Sequence, residues 1–203
     1  MFKTRKSFIA TLLCASALVP AVAAAQATPS GACAAKLKAS KTINVTLTTS
    51  MGPIVLALDS EKAPLSVVNF ATYVDAGHYN GTVFHRVING FMIQGGGFTK
   101  DMAEKPTRAP IKNEGGNGLK NDNYTVAMAR RGDPDSATGQ FYINVKDNDA
   151  LNRNPNSAGY AVFGKVTSGQ DTVDKIKLVP TGNSGPFQNV PTTPVVIEKA
   201  ECL

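Results

Sequence analysis

An apolar run at 8–19 opens the chain, preceded by Lys3, Arg5 and Lys6 and followed by the small-residue stretch AVAAAQA. A basic start, a short apolar run and Ala-x-Ala options near Ala23, Ala25 and Ala27 form the layout of a secretory signal peptide. The run is too short to span a bilayer comfortably and Pro20 interrupts it, which favours removal over retention as an anchor. The signal is assigned to 1–25, with cleavage near 23–27. Leu13 stands before Cys14, where a lipoprotein signal requires a small residue. Residues 26–40 are small and polar with little period and predict a flexible tether.

From Lys41 the pattern has period two. Ile43, Val45 and Leu47 alternate with polar residues, Ser50-Met51-Gly52-Pro53 supplies turn chemistry, and Ile54, Leu56 and Leu58 alternate again, which predicts a hairpin. The period then becomes helical. Pro64 suits a first turn, Val67, Phe70, Ala71 and Val74 share a face, and Gly77 can end the helix. A second helix is predicted from Asp171 to Leu178, with Val173 and Ile176 inward. The remaining apolar runs are short: VFHRVI, FMIQ, TVAMAR, FYINV, YAVFGKV and VVIEKA, separated by Gly- and Asn-rich loops. Many short strands with two helices predict one mainly β domain over 41–203, a closed antiparallel barrel capped by helices.

The length of 203 residues suits one domain with a sizeable core. The net charge of +6 falls to about +3 once Lys3, Arg5 and Lys6 are removed with the signal. No Lys/Arg run is long enough to track a polyanion, so nucleic acid is not expected as a partner. Cys33 and Cys202 remain near the two ends of the processed chain. An oxidising compartment would let them pair, closing a loop worth at most roughly 5 kcal/mol; two free thiols on frayed ends are the alternative.

Strand alternation sorts the candidate chemistry. In FHRVI, Arg86 points away from His85 and Val87; in FMIQ, Met92 and Gln94 share a face; in QFYIN, Gln140 and Tyr142 do. If these strands are neighbours, one surface collects a guanidinium, two amides and an apolar floor. Taken alone, an arginine on a strand is most often a solvated charge, and Phe84, Phe91 and Phe141 default to core. Metal and hydrolase readings are weaker. Only His78 and His85 occur, at a spacing that fits no helical zinc motif. Asp133-Pro134-Asp135 starts like a calcium loop that Ala137 and Thr138 break. Gly95-Gly96-Gly97 followed by Lys100 lacks phosphate-loop spacing and reads as tight backbone geometry.

The run FHRVINGFMIQGGG at 84–97 closely resembles the active-site segment of cyclophilins, the peptidyl-prolyl cis–trans isomerases. Met128-Ala129, then Gly139-Gln140-Phe141-Tyr142-Ile143-Asn144, then Val162-Phe163-Gly164-Lys165-Val166 follow in that family's order. The resemblance covers Thr42 to Glu201 and is greatest to bacterial periplasmic members. It implies an eight-stranded closed barrel capped by two helices. It implies catalytic roles for Arg86 and Gln94. For substrate binding it implies His85, Phe91, Met92, Ala129, Gln140, Tyr142 and Leu151. It implies no cofactor and no metal. The expected partners are proline-containing unfolded or partly folded polypeptides, handled by a monomer in the periplasm, or alternatively after secretion, to assist folding of exported proteins. No stable membrane insertion is expected after signal removal. A chaperone module that uses the same groove without turnover is the competing reading.

The chain departs from the animal-type pattern at Ala150, where tryptophan is common, at Tyr142 for Phe, at Arg130 for Asn and at Tyr160 for His. The loop between Ala129 and Gln140 is one residue longer. Loss of the aromatic at Ala150 implies weak cyclosporin affinity.

Overall fold

The computed structural model describes residues 30–203, so the signal segment and its cleavage options lie outside the described residues. The alternating stretches form the expected hairpin. β1 (Thr42–Thr49) and β2 (Gly52–Asp59) pair antiparallel in unbroken register, from Thr42 opposite Asp59 to Thr49 opposite Gly52. Ile43, Val45, Leu47, Ile54, Leu56 and Leu58 are all buried on one face, as period two requires.

The other strands are β3 (Thr82–Val83), β4 (Arg86–Ile88), β5 (Met92–Gly95), β6 (Thr125–Met128), β7 (Phe141–Asn144), β8 (Val162–Ser168), β9 (Thr181–Ser184), β10 (Phe187–Pro191) and β11 (Val196–Cys202). Of the eleven strands among the described residues, nine form one sheet in the order β3-β11-β1-β2-β8-β6-β7-β5-β4, and β9 and β10 form a separate ribbon. The closed eight-stranded barrel is therefore corrected: the sheet is a strongly curled half-barrel, open between β3 and β4. The reason lies in the run VFHRVI. Its two ends are the two edges of the sheet, separated only by Phe84 and His85. Consecutive segments of one passing chain cannot lie antiparallel without a reversal between them. The chain itself crosses the seam, and hydrogen bonds anchor it there: Val83 N–H donates to Phe98 O at 2.9 Å and Phe84 N–H to Val195 O at 3.0 Å.

Among the described residues three α-helices accompany the sheet rather than two: α1 (Ala32–Ala39), α2 (Pro64–Asp75) and α3 (Gln170–Ile176). Inside the curl, Phe70 of α2 meets Tyr79, Phe163 and Phe141 at ring-centroid distances of 4.8, 5.2 and 5.3 Å. α2 starts at Pro64, and its free N–H groups are capped by a remote carboxylate. Leu65 and Ser66 N–H donate to Glu114 Oε1 and Oε2 at 2.9 and 2.8 Å. α3 lies over β2. There Gly52, at φ +126°, admits Thr172, whose Oγ1 would stand 2.8 Å from any Cβ.

Helix α1 falls within the segment expected to be a tether. Its alanines and lysines are good helix formers, but a piece this short is not stable alone. Asp75, at the end of α2, supplies the missing support: its carboxylate accepts from Gly31, Cys33 and Ala34 N–H at 2.9, 3.0 and 3.3 Å. An acid at a helix C-terminus opposes that helix's own dipole, so Asp75 serves α1 rather than α2. Cys33 is fully buried and is bonded to Cys202 on β11, with Cα atoms 5.3 Å apart.

The bridge closes a loop of sequence separation 169, which in the chain-entropy model is worth up to about 5 kcal/mol. Denaturing thiol titration of the non-reduced protein should find no free thiol at Cys33 or Cys202. Reduction should lower the urea midpoint while the protein stays folded. Two titratable thiols, or an unchanged midpoint, would contradict this.

Candidate active site

The register of four neighbouring strands builds a row on the outer face of the sheet. Arg86 of β4 stands opposite Gln94 of β5, Gln94 opposite Tyr142 of β7, and Tyr142 opposite Ala127 of β6. Val87, Ile93, Ile143 and Val126 point the other way, into the core. In the next row, Ile88 faces Met92. Met92, Ala127, Tyr142 and Val162 are buried together, and Ile88, Phe91, Leu119, Ala129, Leu151 and Tyr160 pack around them. This makes an apolar pocket on the outside of the half-barrel, separate from the main core.

Arg86 stands half-exposed beside that pocket. Its Nη1 donates to Gln94 Oε1 at 3.4 Å, and Gln94 Nε2 donates to Gln140 Oε1 at 2.9 Å. The two amides thus form a chain that ends on the guanidinium. Gly97 makes room for it, since a Cβ there would lie 2.5 Å from Gln140 Cγ. Two cavities flank the row. One of about 400 Å³ is lined by Gln94, Ala129, Arg131, Thr138 and Gln140. The other, of about 550 Å³, is lined by His85, Arg86, Phe98, Gln140 and Phe187.

The structure brings Phe91, Met92, Ala129, Tyr142 and Leu151 into one cluster, with Arg86, Gln94 and Gln140 at its side. His85 stands apart. It is 5% exposed, its ring lies 4.7 Å from Phe98, and its Nδ1 has no hydrogen-bond partner among the described residues. Burial, with the Arg86 charge adding, pushes its pKa down to about 4 against the opposing hydrogen bond to the Val83 backbone. Leu119, Tyr160, Ala127 and Val162 are pocket residues that sequence reasoning missed. Alternation in TVAM and YAVF carries a signal for Ala127 and Val162. Tyr160 begins YAVF and shares the period-two face of Val162, whereas Leu119 lies in an irregular segment that has no period to read. Arg130 lies over the Tyr160 ring at 4.4 Å, and Ala150 is exposed on the 3₁₀ turn Asp149–Leu151.

Arg86 is thus linked to two amides and stands at the side of an apolar cluster. The family model for cyclophilin type peptidyl-prolyl cis-trans isomerase matches residues 44–202. The chain belongs to the cyclophilin-type peptidyl-prolyl cis–trans isomerases. It is 64% identical over 162 residues to peptidyl-prolyl cis-trans isomerase cyp18 of Streptomyces antibioticus, covering 78% of this chain and 98% of that one. It is 50% identical to peptidyl-prolyl cis-trans isomerase A of Dickeya dadantii over 203 residues, covering 100% of this chain and 99% of the relative. The fold matches the crystal structure of a Cryptosporidium parvum cyclophilin with a TM-score of 0.66 at 24% identity, covering 80% of this chain and 98% of that one. The cyclophilin is thus an isomerase of peptidyl-prolyl bonds.

His85 gives the cyclophilin a pH dependence with a definite sign. The folded state holds the ring neutral down to about pH 4, whereas an unfolded histidine protonates near 6.5. The unfolded state therefore binds the extra proton across that window, and stability is lost as pH falls from 6.5 toward 4. The loss from this group reaches roughly 3 kcal/mol. His78, also lowered by burial, adds in the same direction. Urea midpoints between those pH values should fall steeply in the wild type and less steeply in His85→Gln. Equal slopes would contradict the assignment.

Proposed function

We propose that this isomerase acts on X–Pro bonds of exported polypeptides and that Arg86 supplies the catalytic charge. The observation that carries the reading is the Arg86–Gln94–Gln140 chain beside the apolar cluster of Phe91, Met92, Tyr142 and Leu151. A planar peptide bond resists rotation by about 18–20 kcal/mol because its C–N bond has partial double-bond character. At the twisted midpoint that resonance is lost and the prolyl nitrogen regains a lone pair. A guanidinium beside it interacts more strongly with the twisted than with the planar state, and only such a difference accelerates the step. Arginine suits this task because its fork is planar and always charged. Gln94 accepts from Arg86 and holds its direction, while Gln140 holds Gln94.

The pocket does different work. Phe91, Met92, Tyr142 and Leu151 grip the proline ring while the preceding residue turns. No proton moves in this scheme, so no residue needs a pKa near neutrality. Export is supported by the signal-like start and by the Cys33–Cys202 bridge, which suits an oxidising compartment such as the periplasm.

Arg86→Ala should retain the wild-type circular dichroism and lose about a hundredfold or more of its kcat/KM on a short X–Pro peptide. Near-wild-type turnover in the folded variant would overturn the role given to Arg86. For export, the full chain expressed in a Gram-negative host should appear in the periplasm with a shortened N-terminus. A full-length chain retained in the cytoplasm would overturn that half of the reading.

A further inference from the structure

Behind the apolar pocket lies a fully buried asparagine whose every polar atom is engaged. Asn121 is 0% exposed and precedes β6 in the chain. Its Oδ1 accepts from the Tyr142 hydroxyl at 2.7 Å and from Asn144 Nδ2 at 3.2 Å. Its Nδ2 donates to Asn152 Oδ1 at 3.1 Å, Leu151 O at 3.3 Å and Tyr160 O at 3.5 Å. Its backbone N–H donates to Asn152 Oδ1 and its carbonyl accepts from Asn148 N–H, both at 2.8 Å.

Three walls of the pocket thus meet one amide: the Tyr142 ring through its hydroxyl, and Leu151 and Tyr160 through their carbonyls. The network continues to a fourth wall. Asn148 Nδ2 donates to Asn144 Oδ1 at 2.7 Å and to Phe91 O at 2.8 Å. We propose that Asn121 is the positioning residue of the proline pocket, setting the separation of its walls through this buried network.

A buried amide of this kind is costly when half-satisfied and rigid when fully satisfied. Strand pairing places only Tyr142 among these walls, because Phe91, Leu151 and Tyr160 lie outside the strands. Burial raises the Tyr142 pKa and keeps its hydroxyl a donor. The proposal rests on reading the apolar cluster as the grip for the proline ring. That grip acts on the planar and twisted states alike, so its loss should appear in KM more than in kcat.

The test is steady-state kinetics on an X–Pro peptide with thermal midpoints alongside. Tyr142→Phe keeps the ring and removes one hydroxyl. Its KM should rise roughly two- to tenfold, the usual worth of one hydrogen bond, with kcat retained. Asn121→Leu should raise KM at least as far, and adding Tyr142→Phe to it should cause no further rise. Should Asn121→Leu fail to fold, Tyr142→Phe carries the test alone. Met92→Ala, whose side chain lies in the pocket away from Asn121's bonds, is the control. If it raises KM while Tyr142→Phe lowers only the thermal midpoint, Asn121 is structural and the proposal fails. If Met92→Ala leaves KM unchanged, the pocket reading fails and the proposal with it.

Discussion

The register of β4, β5, β7 and β6 is the constraint on which the site depends. Side chains alternate across a strand, so a slip of one residue would send Arg86, Gln94, Tyr142 and Ala127 into the core and turn Val87, Ile93, Ile143 and Val126 outward. The main core opposes such a slip on one face, and the apolar pocket opposes it on the other. Packing of the half-barrel and geometry of the site are thus set by the same pairings. The glycines after Gln94 serve both. A Cβ at Gly96 would meet Tyr79 and Phe141 in the core, and one at Gly97 would meet Gln140 in the site.

Support from distant parts of the chain is the second theme. Glu114 caps α2, Asp75 caps α1, and Cys202 on β11 is bonded to Cys33 on α1. Each joins elements far apart in sequence and lowers the freedom of the unfolded chain or satisfies helix-end donors. None of Asp75, Glu114, Cys33 and Cys202 belongs to the Arg86–Gln94–Gln140 chain or to the apolar cluster beside it. The division suits an enzyme whose stability and whose catalytic geometry come from different interactions.

Much of this was legible in the sequence, because periodicity reports which face a residue occupies. The hairpin at Ile43–Leu58 and the helix from Pro64 follow from alternation and turn residues, whereas the shared face of Arg86, Met92, Gln94 and Tyr142 also needed the strand pairing that alternation does not supply. Sheet closure was not legible. The break at Phe84 and His85 has no glycine or proline to mark it, so VFHRVI reads as one strand while its two ends lie at opposite edges. Helix α1 was also hidden, since its partner is Asp75 and the local composition resembles a linker. The pairing of Cys33 with Cys202 stood as one of two alternatives until the fold placed them together. Asn121 lies in an asparagine-rich loop, where nothing local distinguishes a buried network centre from a turn residue.

The central claim is that a fixed, always-charged guanidinium and a shaped pocket lower a rotational barrier without proton transfer. The groups around the site agree with it: His85 is neutral above about pH 4, and burial pushes the Tyr142 hydroxyl upward, away from neutrality. The most direct test is kcat/KM for cis-to-trans conversion of an X–Pro peptide in H₂O and D₂O across neutral pH. The account predicts a ratio near unity and a profile that is flat between about pH 6 and 8, since no site group changes charge there. A solvent isotope effect of about two or more, or a bell-shaped profile in that range, would contradict it.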